Sequence, residues 1–328
     1  MQQALKQFFS LSGRQSEEVA AGKIDFNRAM LEIQSGSIMT GCESVVSQLS
    51  QLRSTMNTDE WRRFIGEEAR VHPIKDLLHN DPFTRHAYSK PRGYPGDADL
   101  LDYIYTPASV VRDDSIGARI SVYTTDAPAP RAVRHRRDVI AGLVDTIAEE
   151  SVRKPRVLSL ACGHLREAGL SQALAAGQIA EYVAIDQDEA SLEVIDRDYG
   201  HLPVKTAHGS VKQILVRGLD DWGFDFIYAA GLFDYLSQPV GRRLCDVLFA
   251  ALNPGGRLLA ANFTPGIKDV GYMEAFMDWF LIYRAESQVK DLTSGIPTSE
   301  LADVRSWTDP AKNIVYVLAQ KRHLLSAR

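Results

Sequence analysis

Residues 157–167 read VLSLACGHLRE, an apolar run that stops at Ala161, Cys162 and Gly163 before polar residues resume. A strand that ends in side chains this small leaves bare backbone at its carboxyl end. In an open α/β sheet that is where ligands lie. The pattern predicts a ligand resting against amides at the N-terminus of the next helix. A plain strand-to-helix turn has the same composition, so the chain beyond it has to decide.

The next strand-like run, EYVAID (181–186), ends in Asp186, about twenty residues after Gly163. A carboxylate at that offset is placed to take both hydroxyls of a ribose. The dinucleotide fingerprint G-x-G-x-x-G is absent, because its positions hold Ala161, Gly163 and Arg166. A ligand with a ribose and no pyrophosphate suits this turn, and S-adenosylmethionine (SAM) is the common one.

Around this stretch, short apolar runs alternate with helical segments. RVLSLAC, EYVAID, PVKTAHG, FDFIYAAG and GRLLAANF are the strands, and segments such as REAGLSQALAAG and QPVGRRLCDVLFAAL carry helical periodicity. The alternation predicts a parallel sheet with helices on both faces. DVRSWTDPAKNIVYVLAQK reads as two strands around residues 309–313, a hairpin on the sheet edge. Upstream, the pattern predicts helices over 2–11, 15–34, 37–55 and 58–70, with Thr58 as half a capping signal, and an irregular stretch from 71 to 106. A basic helix follows from 128, closed off by Lys154-Pro155. The expected organisation is a helical cap or lid domain over 1–127 and a ligand-binding α/β domain over 128–328.

Composition sets the bounds. The chain has 328 residues, with 45% hydrophobic and 24% charged content, as in ordinary globular proteins. A net charge of −5 gives no positive field to attract nucleic acid. Three scattered cysteines without a CxxC pair fit a reducing, cytoplasmic setting. The first residues lack the layout of a signal peptide. No run approaches the roughly 18 apolar residues of a membrane span. The eight histidines show no HxxxH, HxH or Cys/His spacing, so no metal site is expected.

VLSLACGHLRE, YVAID, HGS (208–210), FDFIYAAG (224–231) and LNPGGRLLAANF (252–263), in that order, resemble the successive motifs of class I SAM-dependent methyltransferases. KPRGYPGDADLLDYIY (90–105), YAAGLFDYL (228–236), GYMEAFMDWFLIYR (271–284) and TDPAKNIVYV (308–317) are similar to a narrower bacterial group. That group is identified with making an extracellular factor, the methyl ester of 3-hydroxypalmitic acid. The resemblance implies a seven-stranded Rossmann-like SAM-binding sheet and a small-molecule acceptor, with carboxylate O-methylation as the narrower expectation. The cofactor contacts it implies are Ser159, Ala161, Cys162, Gly163, Glu167, Asp186, Gln187, Gly209, Ser210, Ala230 and Gly231. Ser159 stands where an acidic residue is usual, which leaves Glu167 as the nearest carboxylate for the methionine ammonium. Ala161 and Leu165 replace two loop glycines.

RGYPGD (92–97) reads as a lid: Tyr94 and Asp97 would face the sulfonium and Arg92 would hold a carboxylate. Asp234 follows the fourth strand closely enough to reach the reacting centre, with Tyr235 beside the substrate. Tyr94, Asp97 and Asp234 are the expected catalytic groups. Arg131, Arg134, Arg136 and Arg137 read as a solvated helix face, Tyr103 and Tyr105 as packing. Trp279 and Tyr283, four apart, read as one helix face with Phe276.

Three functions remain open at this point. The first is methyl transfer. The second is cyclisation of SAM by its own amine, giving azetidine-2-carboxylate and methylthioadenosine. The third is regulation by SAM binding without catalysis.

Overall fold

A computed structural model describes residues 24–107, 113–219 and 223–323. The expected helix 2–11 and the start of 15–34 lie outside the described residues. The chain groups into two compact units. One comprises Met1–Ser89, Ala108–Thr124 and Lys268–Trp279; the other comprises Lys90–Pro107, Thr125–Ile267 and Phe280–Arg328. A single cut after residue 127 does not follow this grouping. Residues 90–107 belong with the sheet because the helix Ala98–Tyr105 packs on the helix Pro128–Glu150.

The sheet unit holds seven strands: β1 (Arg156–Leu160), β2 (Glu181–Asp186), β3 (Val204–His208), β4 (Phe224–Ala229), β5 (Leu252–Phe263), β6 (Leu301–Thr308) and β7 (Ile314–Lys321). Their order is β3-β2-β1-β4-β5-β7-β6. Strands β1 to β5 are parallel, and β7 runs antiparallel between β5 and β6. This is the seven-stranded Rossmann-like α/β sheet, with the hairpin at its edge, that the motifs imply. Asp309 pins the hairpin turn by accepting from the amides of Asn313 and Ile314, both at 2.6 Å. The chain winds outward from β1 to β3 and then returns to the other side of β1 at β4. The order therefore switches between β1 and β4, and a crevice opens at their carboxyl ends.

Every strand position from Val157 to Leu160 is buried, as expected for a central strand covered on both faces. Leu158, Ile227, Leu258 and Val317 meet Leu244 and Leu248 of the helix Gln238–Ala250 in one apolar cluster. Each such side chain contributes on the order of 1.5–3 kcal/mol on burial. The helix Pro128–Glu150 begins with proline in its first turn, where no amide partner is lost. Its buried stripe runs through Ala129, Val133, Arg136, Ile140, Val144 and Ile147. Arg136 occupies a stripe position and is 5% exposed, which corrects the reading of it as a solvated residue.

The helical unit carries the helices Phe26–Gln34, Ile38–Thr55, Thr58–Phe64, Ile74–Leu78, Pro82–Ser89, Ile116–Thr124 and Val270–Phe276. Thr58–Phe64 continues into a π-helical turn, Ile65–Ala69. Its cap is Asn57, not Thr58: the Asn57 side chain accepts from Asp59 and Glu60, and Glu60 returns a bond to the Asn57 amide. Glu274 is buried and accepts from Trp61 Nε1 at 2.6 Å and Arg53 Nε at 2.8 Å. Asp81 is fully buried and caps Pro82–Ser89 through the Phe83 and Thr84 amides, while also accepting from Thr124.

Two further expectations change. The stretch 71–106 is not irregular but holds three short helices, two of them opened by carboxylate caps at Asp81 and Asp97. Trp279 and Tyr283 do not share a helix, because Val270–Phe276 ends before Asp278, whose φ of 49° is left-handed.

A side chain on Gly271 would meet the Leu49 carbonyl oxygen at 2.7 Å. Gly271→Ala should therefore force two helices apart and cost roughly 1–3 kcal/mol, read as a lowered unfolding midpoint. A midpoint unchanged from the parent protein would show that this helix contact is looser than described.

Candidate functional site

Beyond β1 the backbone turns through three left-handed residues, Ala161, Gly163 and Leu165, with φ of 54°, 53° and 52°. Only one is glycine, so the other two carry strain on the order of 1–2 kcal/mol each. Neighbouring loops hold the turn in place. Cys162 N donates to the Ile185 carbonyl at 3.2 Å, and Gly163 N donates to Asp186 Oδ2 at 2.8 Å. The other oxygen of Asp186 accepts from Asp188 N at 3.0 Å. The long helix expected next is not formed. A 3-10 turn, Ala168–Leu170, and one helical turn, Gln172–Ala175, stand there instead. The loop itself, not a helix N-terminus, offers its backbone to the crevice.

That crevice is a cavity of about 340 Å³ at the carboxyl ends of β1, β2 and β4. Ser159, Ala161, Cys162, Gly163 and Glu167 line it from the β1 loop. Asp186, Gln187 and Gly209 line it from β2 and β3, and Ala230, Gly231 and Tyr235 from beyond β4. Tyr94 and Gly96 come from the 90–97 segment and Ala98 from the helix behind it; a side chain on Gly163 would meet Ala98 Cβ at 3.3 Å. Ten of the eleven expected cofactor contacts thus share one cavity. Ser210 is the exception, because its hydroxyl caps the helix Val211–Arg217 in a capping box with Gln213.

Three other expected residues do not line the cavity. Asp97 is fully buried and caps Ala98–Tyr105, accepting from Leu100 N at 2.8 Å. Arg92 donates to Asp99 at 2.9 Å and to Asp188 and Ser191, which fastens the 90–97 segment to the loop after β2. Asp234 is buried, accepts from Phe263 N at 2.8 Å, and stands where burial pushes its carboxyl up to about 6. Arg284 stays beside it and donates to the Phe233 and Leu236 carbonyls, fixing the loop after β4.

The lining also includes groups outside the expected set: Tyr105, Arg136, Arg137 and Tyr228. Tyr228 donates to Glu167 and is joined to the Tyr182 hydroxyl at 2.6 Å. Burial raises Glu167 above the usual carboxylate range. Burial and the nearby charges of Asp186 and Asp188 raise the Tyr94 phenol, so it stays protonated and is no tyrosinate base. Arg137 stacks on Tyr105, 4.9 Å from its ring centre, and pairs with Asp138 at 3.0 Å. The apolar spacing of the 128–150 helix was the available signal for Arg136. Tyr228 lies inside a strand, where alternation does not mark a cavity-facing end.

No family model matches the chain, and no curated protein sequence matches it. Solved structures do match. A possible exported protein from Bordetella parapertussis has 17% identity and a TM-score of 0.58, over 87% of this chain and 95% of that one. The SAM-dependent methyltransferase SibL in its apo form has 15% identity and a TM-score of 0.43, over 74% of each chain. The N-methyltransferase NodS from Bradyrhizobium japonicum, in complex with S-adenosylhomocysteine, has 15% identity and a TM-score of 0.41, over 67% of this chain and 98% of that one. The first likeness is one of fold.

Asp234 yields a pH prediction. Its folded pKa of about 6 lies above the roughly 3.9 of an exposed aspartate, so the folded state holds the proton more tightly. Its contribution is full below about pH 4 and is lost as pH rises through about 6. Asp234→Asn keeps an acceptor for Phe263 N. The variant should gain on the parent by roughly 2–3 kcal/mol between pH 4 and pH 7 in denaturation curves. A pH-independent difference would place the carboxylate in contact with solvent.

Proposed function

We propose that this chain is an enzyme that binds SAM in the cavity beyond β1 and β4 and passes its methyl group to a small molecule. The observation that carries the reading is the Asp186 carboxylate. It lines the cavity at the switch point, and each oxygen accepts one loop amide, which leaves a lone pair on each for a ribose hydroxyl. The rest of the lining fits the same group. Gly209 lies so close to Ile185 that a side chain there would meet Cγ2 at 3.1 Å, leaving a flat wall suited to a ring. Ala230 and Gly231 offer bare backbone beyond β4.

When bound, SAM supplies a carbon made electrophilic by the adjacent sulfonium. The chain's part is alignment and exclusion of water. Arg92 holds the 90–97 segment down through Asp99 and Asp188, and Tyr94 then closes the cavity wall beside Asp186. The neutral Tyr94 phenol serves as a hydrogen-bond partner, not as a proton acceptor. A carboxylate acceptor needs no base. An amine or hydroxyl acceptor needs one.

The size of the cavity favours a second outcome. About 340 Å³ is near the low end of small-molecule sites, which leaves room for a small acceptor or for none. Cyclisation of SAM to azetidine-2-carboxylate, with release of methylthioadenosine, needs none. A non-catalytic regulator would return SAM unchanged. The three cysteines are free and buried, in keeping with a reducing compartment such as the cytoplasm. Among the described residues, no helix is long and apolar enough to cross a membrane.

Asp186→Ala should weaken SAM binding by roughly 2–4 kcal/mol in calorimetry, since two charge-assisted hydrogen bonds are lost. NADH should show no heat of binding. Unchanged SAM affinity in the variant, or tight NADH binding, would remove this reading. Incubation with SAM alone separates the chemistries: methylthioadenosine release marks cyclisation, while S-adenosylhomocysteine formed only with an added acceptor marks transfer.

The 90–97 segment gives an independent check. SAM should slow amide hydrogen exchange across residues 90–106. Exchange there that ignores SAM would take the segment out of the binding event.

A further inference from the structure

Strand β6 closes the sheet on the hairpin side and is bonded along one edge only, to β7. Just past it, Asp309 N donates to the Ile314 carbonyl at 2.9 Å, in the register that pairs Thr308 with Val315. Backbone groups alternate along an antiparallel ladder. Those of Arg305 and Trp307 therefore face β7, and those of Val304, Ser306 and Thr308 face outward. Among the described residues these outward amides and carbonyls have no partner. Ala302 has no opposite residue on β7 either, because the register steps from Leu301 to Asp303.

An open edge of this kind is a template for another strand, and proteins often guard it with proline or lysine. Residues 301–308, LADVRSWT, hold neither. The charges of the strand are Asp303 and Arg305, both exposed. They stand two residues apart and so share a face of the sheet. Arg305 lies 6.0 Å from the Trp307 ring centre, and among the described residues neither charge has an ion-pair partner. Opposite charges on either side of one residue are self-complementary. A two-fold axis through that residue sets each against the other.

We propose that β6 pairs antiparallel with β6 of a second copy of this chain, about a two-fold axis at Val304. Asp303 then faces Arg305 of the second copy, and Arg305 faces its Asp303. Val304 meets its own counterpart, a β-branched pair, and Ala302 meets Ser306, both small. Moving the axis one residue either way sets Asp303 against Asp303 or Arg305 against Arg305, so the charges select one register. The interface is isologous and joins two sheets edge to edge. A ladder this short makes a reversible dimer whose population follows concentration. The inference is independent of the SAM reading, since no β6 residue lines the cavity.

Sedimentation velocity across a range of protein concentrations tests the pairing. The parent protein should show a monomer–dimer equilibrium. Asp303→Arg and Arg305→Asp each place like charges face to face at both pairs. Each should weaken the dimer about tenfold or more, with an unfolding midpoint close to that of the parent. The double variant D303R/R305D exchanges the charges and should dimerise within about threefold of the parent. A parent that stays monomeric across the range would overturn the proposal. So would single variants that dimerise as the parent does, or a double variant that dimerises no better than the single ones.

Discussion

The Asp186 carboxylate holds the site together. One oxygen fastens the left-handed turn after β1 through Gly163 N, and the other fastens the loop after β2 through Asp188 N. The two strands are already in register, with Leu160 opposite Ile185. The carboxylate carries that register one step past the ends of the strands. Together with the bond from Cys162 N to the Ile185 carbonyl, it holds Ala161 and Leu165 in a conformation that disfavours side chains. The strained turn and this part of the cavity wall meet at that one residue.

A second layer of constraint comes from charges that hold backbone and one another in place. Arg92 joins Asp99 and Asp188, Arg284 gathers the carbonyls of the loop after β4, and Asp97 and Asp81 cap helices. Side chains with this much hydrogen bonding are fixed in place, so the groups beside them can be positioned closely. Asp97 and Asp234 look catalytic by their place in the sequence. In the fold they hold the backbone that brings Tyr94, Gly231 and Tyr235 to the cavity.

The fold was legible because it is written in periods and punctuation. Five apolar runs with turn residues between them gave β1 to β5, and Asp309 to Asn313 gave the hairpin. Asp186 was legible by its distance from Gly163. The failures have physical causes. A polar side chain at a loop end reads alike whether it faces a ligand or holds backbone, which is why Asp97, Asp234 and Ser210 read as site residues in the sequence. Four arginines close together suggested a wet face, although the three- and four-residue spacing of Ala129, Val133, Arg136 and Ile140 put one of them inside. The cap at Asn57 stands one residue ahead of Thr58, and the Glu60 three residues beyond Asn57 is its partner in the sequence.

The proposed SAM site depends most directly on Asp186, whose carboxylate lines the cavity at the switch point. A crystal structure of the protein with S-adenosylhomocysteine measures this directly. The account predicts the ligand in this cavity with both ribose hydroxyls on Asp186. A ligand seated outside this cavity, or one with its ribose away from Asp186, would contradict it.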